Sequence, residues 1–187
     1  MSTQVRAFHP VQGPAALMLQ LFLADPTWLP EGERHDDGRW AMRVHGVGVS
    51  RQVAVRVGAP WSIGRTAWRS LSWDPADRGD GAAEGGTGRV AERLLPSFDG
   101  ELGIDLPEGA VSLILDGRYQ PPGGRLGAAL DDMALHRVGR ATAERLLADV
   151  AAGLQARAST VHSLSRAGHD RTPDGGHGGD QQGQGHQ

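Results

Sequence analysis

Alternation of apolar and polar residues is the main signal from Thr3 to Tyr119, and a helical period takes over after it. Thr3–Phe8 reads as a short first strand, ended by Pro10 and the Gly13-Pro14 pair. The run Ala15–Ala24 is apolar throughout and predicts a short buried helix from Pro14 to Asp25-Pro26. Trp28-Leu29-Pro30 continues as a turn or a second short helix. A series of strands follows. Arg39–Val49 sets Trp40, Met42 and Val44 against Arg43 and His45, and Arg51–Val57 sets Val53, Val55 and Val57 against Gln52, Ala54 and Arg56. Arg65–Trp73 offers two faces, Trp68, Ser70 and Ser72 or Arg69, Leu71 and Trp73. Leu94–Leu106 places Phe98, Leu102 and Ile104 on one parity, and the next strand places Val111, Leu113, Leu115 and Tyr119 on one face, with Ile114 breaking the pattern on the other. Strands of this kind form an antiparallel sheet with one covered face.

After Tyr119, Pro121-Pro122-Gly123-Gly124 forces a corner. Leu135, Val138, Thr142, Leu146, Val150 and Leu154 then recur at spacings of 3, 4, 4, 4 and 4, the stripe of a long helix facing one surface. Asp131 and Asp132 suit the positive end of that helix, and Arg137, Arg140, Arg145 and Arg157 fall off the stripe, in solvent. The predicted class is therefore α+β: a curved antiparallel sheet closed by a long C-terminal helix.

Composition changes this picture at two places. Gly is concentrated between Gly79 and Gly88 and again between Gly168 and Gly185. The first marks a Gly-rich, charged insertion at 74–92. The second marks a Gly/Gln/His-rich tail, 158–187, expected to be disordered. The folded domain is expected over 1–157, with 187 residues in all giving room for one core.

Charge and missing residue types exclude several chemistries. There is no cysteine, which removes disulfides and thiolate chemistry, and all 19 basic residues are arginine, which removes lysine Schiff bases and the P-loop lysine. A net charge of −3 without a long basic run argues against nucleic acid as partner. No apolar run is long enough to span a membrane. The flanks of Ala15–Ala24 suit a signal peptide poorly, since only Arg6 precedes the run and Phe22 stands where a small residue is wanted, so a cytoplasmic protein is expected. Gly85-Gly86-Thr87-Gly88-Arg89 lacks the lysine and the leading strand of a phosphate loop, and Gly46-x-Gly48 has Arg51 where a dinucleotide fingerprint needs its third glycine. Neither a G-x-S-x-G elbow nor an H-E-x-x-H pair occurs. His35-Asp36-Asp37 reads as a solvated loop, and His162, His169, His177 and His186 are too irregularly spaced for a defined metal site. No cofactor and no metal are expected.

The stretch Tyr119–Leu154, YQPPGGRLGAALDDMALHRVGRATAERLLADVAAGL, resembles the C-terminal end of the START-like, polyketide-cyclase-like superfamily (SRPBCC), in particular uncharacterised actinobacterial members with a Y-x-P-P-G-G-x-L-G turn and an L-H-R-V helix. Thr3–Leu154 can be laid on that helix-grip fold in order, although upstream of the motif only the order of elements matches. The resemblance implies a cavity between sheet and helix. Members bind lipids, sterols, polyketides or plant hormones, and some catalyse cyclisation or related steps. They share no catalytic set, so the resemblance implies a pocket and no catalytic residue.

The covered parities and the helix stripe nominate Val53, Val55, Leu71, Trp73, Phe98, Leu102, Leu113, Leu115, Val138, Thr142 and Leu146 as the wall of such a cavity, with Arg69 and Tyr119 as its polar groups. His136, four residues after Asp132, invites a general-base reading but lies beside the stripe. The first expectation is a domain that binds a small apolar molecule, lipid-like or polyketide-like. The alternatives are a cyclase or aromatase using Arg69, Tyr119 or His136, and a non-catalytic interaction module with a filled core. Whether any reaction is catalysed is left open, as is oligomeric state. A void of several hundred Å³ between helix and sheet would favour the first two, and a packed interior would count against both pocket readings and leave the third.

Overall fold

The computed structural model describes residues 2–45, 50–74, 96–108, 110–120 and 132–169. Its elements are β1 (Thr3–Val11), α1 (Ala15–Leu23), β2 (Trp40–His45), β3 (Ser50–Val57), β4 (Trp61–Ile63), β5 (Thr66–Trp73), β6 (Ser97–Asp105), β7 (Val111–Gln120) and α2 (Asp132–His169). The strands form one antiparallel sheet in the order β1-β7-β6-β5-β3-β2, with β4 beside β5.

Each strand buries the parity its sequence marks. Val5, Ala7 and Val11 of β1, Val53 and Val55 of β3, Phe98, Leu102 and Ile104 of β6, and Val111, Leu113, Leu115 and Tyr119 of β7 face inward. On β5 the ambiguity resolves to Arg69, Leu71 and Trp73. The face of α2 that carries Thr142, Leu146, Val150 and Leu154, widened by Ala143, Leu147 and Ala151, lies on this inner surface. It packs against β1, β7, β2 and α1. Arg137, Arg140, Arg145 and Arg157 are exposed. The apolar run in question becomes α1, with Met18 and Phe22 buried and Phe22 stacked on Trp28 at 5.4 Å between ring centres. No described helix is long and apolar enough to cross a membrane.

Two differences from the sequence reading have physical causes. Gly58-Ala59-Pro60 does not end the pairing but interrupts it. Val57 pairs with Leu71 and Trp61 with Trp68, so three residues on one strand oppose two on β5. That is a bulge, anchored by the Gly58 N–H on the Ser70 carbonyl at 3.0 Å. Beyond it β4 is three residues long, too short to leave a periodic signal. It turns back into β5 through Gly64, at φ 61.

The second difference is the length of α2, which continues to His169, past the boundary expected at 157. Its apolar stripe fades after Ala158, but no Gly or Pro interrupts the chain between Gly153 and Gly168. The Ser159, Thr160 and Ser163 hydroxyls donate to the carbonyls of Gln155, Ala156 and Ser159, one turn back. The insertion (apart from Asp74), the Pro-Pro-Gly-Gly corner and the tail beyond His169 lie outside the described residues.

Candidate functional site

The residues between sheet and α2 define the candidate site. Gly100 on β6 and Gly117 on β7 are cross-strand partners, and neither can carry a side chain without striking the Phe98 ring. The ring therefore lies over the bare backbone of both strands and stacks on Trp73 of β5, 4.8 Å between centres. From the other side α2 approaches through small residues. A Cβ added at Gly139 would sit 3.1 Å from Val5 and 3.2 Å from the Tyr119 ring. Between these walls is a gap of about 10 Å³, bounded by Trp73, Phe98, Leu115, Tyr119, Thr142 and Leu146, with Val5, Gly139 and Ala143 completing it.

The gap has the room of about one water molecule, far from the several hundred Å³ that would favour a preformed pocket. Large side chains fill the interior that a wider cavity would occupy. Of the nominated wall, five residues meet at the gap, together with Tyr119. Val53, Val55, Leu71, Leu102 and Leu113 are buried in the core elsewhere, and Val138 is only half-buried at its margin. Gly139 and Ala143 were not nominated, though their spacing of four on the covered side of the stripe is the signature of a helix coming close to its partner. Val5 shares the buried parity of β1.

Two hydroxyl-bearing residues, Tyr119 and Thr142, are among those that line the gap, whose open surface is apolar. Burial pushes the phenol above its ordinary value of 10.0, and a side-chain hydrogen bond with Thr142 pulls in the opposite direction. The folded state thus holds the phenolic proton more tightly than the unfolded chain does. The resulting stability is intact below about pH 10 and is lost as pH rises from there through the higher folded value. Tyr119 is the chain's only tyrosine, so phenolate absorbance reports this group alone. Its alkaline titration is expected to run to higher pH in the native protein than in urea, and Tyr119→Phe to flatten the fall in thermal stability above about pH 10.

Arg69, nominated as a polar group of the cavity, points inward but is engaged by main-chain carbonyls. It is 5% exposed, and its Nε donates to the Phe22 carbonyl at 3.0 Å. Nη2 donates to those of Leu23 and Ala24 at 2.8 and 2.6 Å, and Nη1 to that of Gly58 at 3.0 Å. One guanidinium thus satisfies the carbonyls that α1 leaves open at its C-terminus, where a cation is also favoured by the helix dipole, and ties them to the bulge. Desolvation lowers its pKa from the ordinary value, and nearby Asp25 acts in the other direction. Arginine remains charged under such a shift. Four of its five N–H donors are spent on backbone carbonyls. His136 is exposed on the flank of α2.

The larger concavity, about 460 Å³, lies on the opposite face of the sheet. It is lined chiefly by outward polar groups, among them Arg56, Ser72, Asp99, Arg118 and Gln120. Asp99 and Arg118 are cross-strand partners there. It borders Asp74 and Gln120, where the chain leaves the described residues. Among those residues no three His, Asp or Glu side chains converge on a metal-sized site. In the 35–37 loop, Asp37 accepts from the Arg39 backbone N–H and its Nε, which hold its carboxyl below the ordinary range.

A curved antiparallel sheet holding one long C-terminal helix against its inner face is a helix-grip architecture, and this chain has it. No protein-family model matches the chain, and no curated protein does. Solved structures similar to it include that of Ara h 8.0201, 15% identical with a TM-score of 0.42 over 83% of this chain and 99% of that one. TTHA0849 from Thermus thermophilus is 17% identical with a TM-score of 0.39, again over 83% and 99%. The Zhui aromatase/cyclase from Streptomyces sp. R1128 is 14% identical with a TM-score of 0.43, over 84% and 96%.

Proposed function

We propose that this chain binds a small, largely apolar molecule between the sheet and α2, at the end where Tyr119 and Thr142 meet. The observation that carries the reading is their convergence. They are the two hydroxyl-bearing side chains buried among the described residues, they are hydrogen-bonded to each other, and both residues border one gap otherwise walled by Trp73, Phe98, Leu115 and Leu146. An apolar wall with a few convergent polar groups is the usual form of a small-molecule site. The pair would fix the orientation of a ligand carbonyl or hydroxyl. Because the gap is nearly closed, space for the ligand comes from displacing the Trp73–Phe98 stack and α2, and the apparent affinity would carry the cost of that opening. The same reading puts the protein in the cytoplasm. What supports this is that its leader-like run is built into the core as α1.

A cyclase or aromatase reading is weaker. Of Arg69, Tyr119 and His136 only Tyr119 faces the gap, and a carbonyl-polarising phenol would have no base beside it among the described residues. The packed interior favours the alternative of a filled-core interaction module.

Native mass spectrometry of the protein purified from its own host separates these readings. The wild type is expected to carry a small organic molecule, and Thr142→Val, which removes one of the two hydroxyls at nearly constant volume, to carry it at lower occupancy with an unchanged far-ultraviolet circular dichroism spectrum. A bare mass for both proteins would leave the filled-core module standing.

A further inference from the structure

The cavity on the outer face of the sheet has no part in binding against α2. At about 460 Å³ it falls within the size range of small-molecule sites, about 300–1,000 Å³. Such sites are lined mainly by apolar side chains, and this one is not. The reason is parity. Leu71 and Trp73, Phe98 and Leu102, and Leu115 and Tyr119 take the inner face of β5, β6 and β7, so the residues between them project outward. One cross-strand row therefore crosses the cavity: Arg56 of β3 opposite Ser72 of β5, Ser72 opposite Asp99 of β6, and Asp99 opposite Arg118 of β7. The next row adds Ser97 opposite Gln120.

Some of these groups are already engaged. Arg56, and Asp74 on the same wall, each interact with another group. The Ser97 hydroxyl donates to Gln120 Oε1 at 3.3 Å, which uses the acceptor of that amide and not its N–H groups. Beyond Arg118 the row reaches Gln4 on β1, whose amide donates to Asp116 in the neighbouring row. Asp99 and Arg118 are different. Both are exposed, and among the described residues neither side chain has a hydrogen-bond or ion-pair partner, although they are cross-strand neighbours.

We propose that this cavity is a second binding site, for a neutral, hydroxyl-rich molecule of the size of a mono- or disaccharide. Among the described residues that line it, two arginines and two aspartates cancel in formal charge, so an ion of either sign gains little from the site as a whole. Directly opposed side chains on antiparallel strands start about 5 Å apart, so Asp99 and Arg118 also offset each other's field. What they keep is hydrogen-bonding capacity. The carboxylate only accepts and the guanidinium only donates, whereas a hydroxyl does both. Adjacent hydroxyls on one ligand can therefore donate to Asp99 while accepting from Arg118 and the Gln120 amide. A purely apolar molecule would leave these groups unpaired, which separates this site from the gap against α2. The proposal does not require that gap to be occupied.

The test is a nitrogen-15 NMR titration of the full chain with D-glucose and with maltose to high millimolar concentration. Saturable shifts are expected at the backbone amides of Ser72, Asp99 and Arg118 and at the side-chain amide of Gln120, with none at Thr142, Ala143 or Leu146 of α2. Asp99→Ala and Arg118→Ala should each weaken binding at least fivefold at an unchanged thermal midpoint. Glucose 6-phosphate and glucosamine, an anion and a cation of similar size, should bind no tighter than glucose. Absence of saturable shifts with both neutral sugars overturns the proposal. So does tighter binding of either charged sugar, a response centred on α2, or full affinity in both variants. If a variant proves unstable, the comparison of neutral with charged sugars on the wild type still decides.

Discussion

Replacing Arg69 with methionine is expected to lower the unfolding free energy by about 3–5 kcal/mol, and the midpoint of thermal unfolding by roughly 10 °C or more. Methionine keeps the volume and loses every donor. The carbonyls of Phe22, Leu23, Ala24 and Gly58 then lose the guanidinium that now satisfies them, at a site that is 5% exposed at the arginine. Each buried acceptor left unpaired costs about 1–3 kcal/mol, and partial hydration of the end of α1 brings the sum down to the stated range. Lysine is expected to recover only part of the loss, because one ammonium group cannot reach acceptors on two sides of a planar fork. Urea unfolding of the three proteins at neutral pH measures this. A loss below about 1 kcal/mol in the methionine variant would mean that water can replace the arginine. The effect on ligand capture should be indirect, through stability alone, since Arg69 does not line the gap.

Gly153→Ala is expected to cost about 2–3 kcal/mol, although alanine is the better helix former by up to about 1 kcal/mol. The added Cβ would collide with the carbonyl oxygen of Trp28, a backbone atom that no rotamer change can clear. To make room, α2 must lift from the turn that carries Trp28, a fully buried ring stacked on Phe22. Ala152→Gly, one position away on the exposed side of the same helix, is the control. It should lose only the propensity difference, on the order of 1 kcal/mol. Equal losses in the two variants would show that the approach at Gly153 is looser than the geometry indicates.

Much of the architecture was legible because burial selects residues by period. The parities of β3, β6 and β7 and the stripe Thr142, Leu146, Val150, Leu154 each state which side faces the core, and the resemblance carried by Tyr119–Leu154 implied the arrangement that the sheet and helix adopt. Where two sets compete, the period decides nothing. Both faces of β5 offer a tryptophan, and the tie is broken by α1, whose open carbonyls make a buried arginine favourable on the inner side. The bulge at Gly58 and the three-residue β4 are set by register against β5, which one strand's sequence does not contain. The size of the gap was illegible for a related reason. A list of inward residues gives their volumes and not how closely α2 comes to the sheet, which depends on Gly139, Ala143 and Gly153 acting together.

The pairing of β1 with β7 also has a consequence in time. Gln4 and Asp116 are hydrogen-bonded partners 112 residues apart in the chain. During synthesis at about 5–20 residues per second, the first strand spends roughly 6–22 s exposed before its partner has been made. In that interval β1 has neither neighbour nor covering helix, since the residues of α2 come later still. Closing a contact of such long range is also slow for a free chain. Pro10 within β1 and the charge of Arg6 are then protection for the nascent chain as much as features of the finished sheet, because a strand so interrupted is a poor template for aggregation.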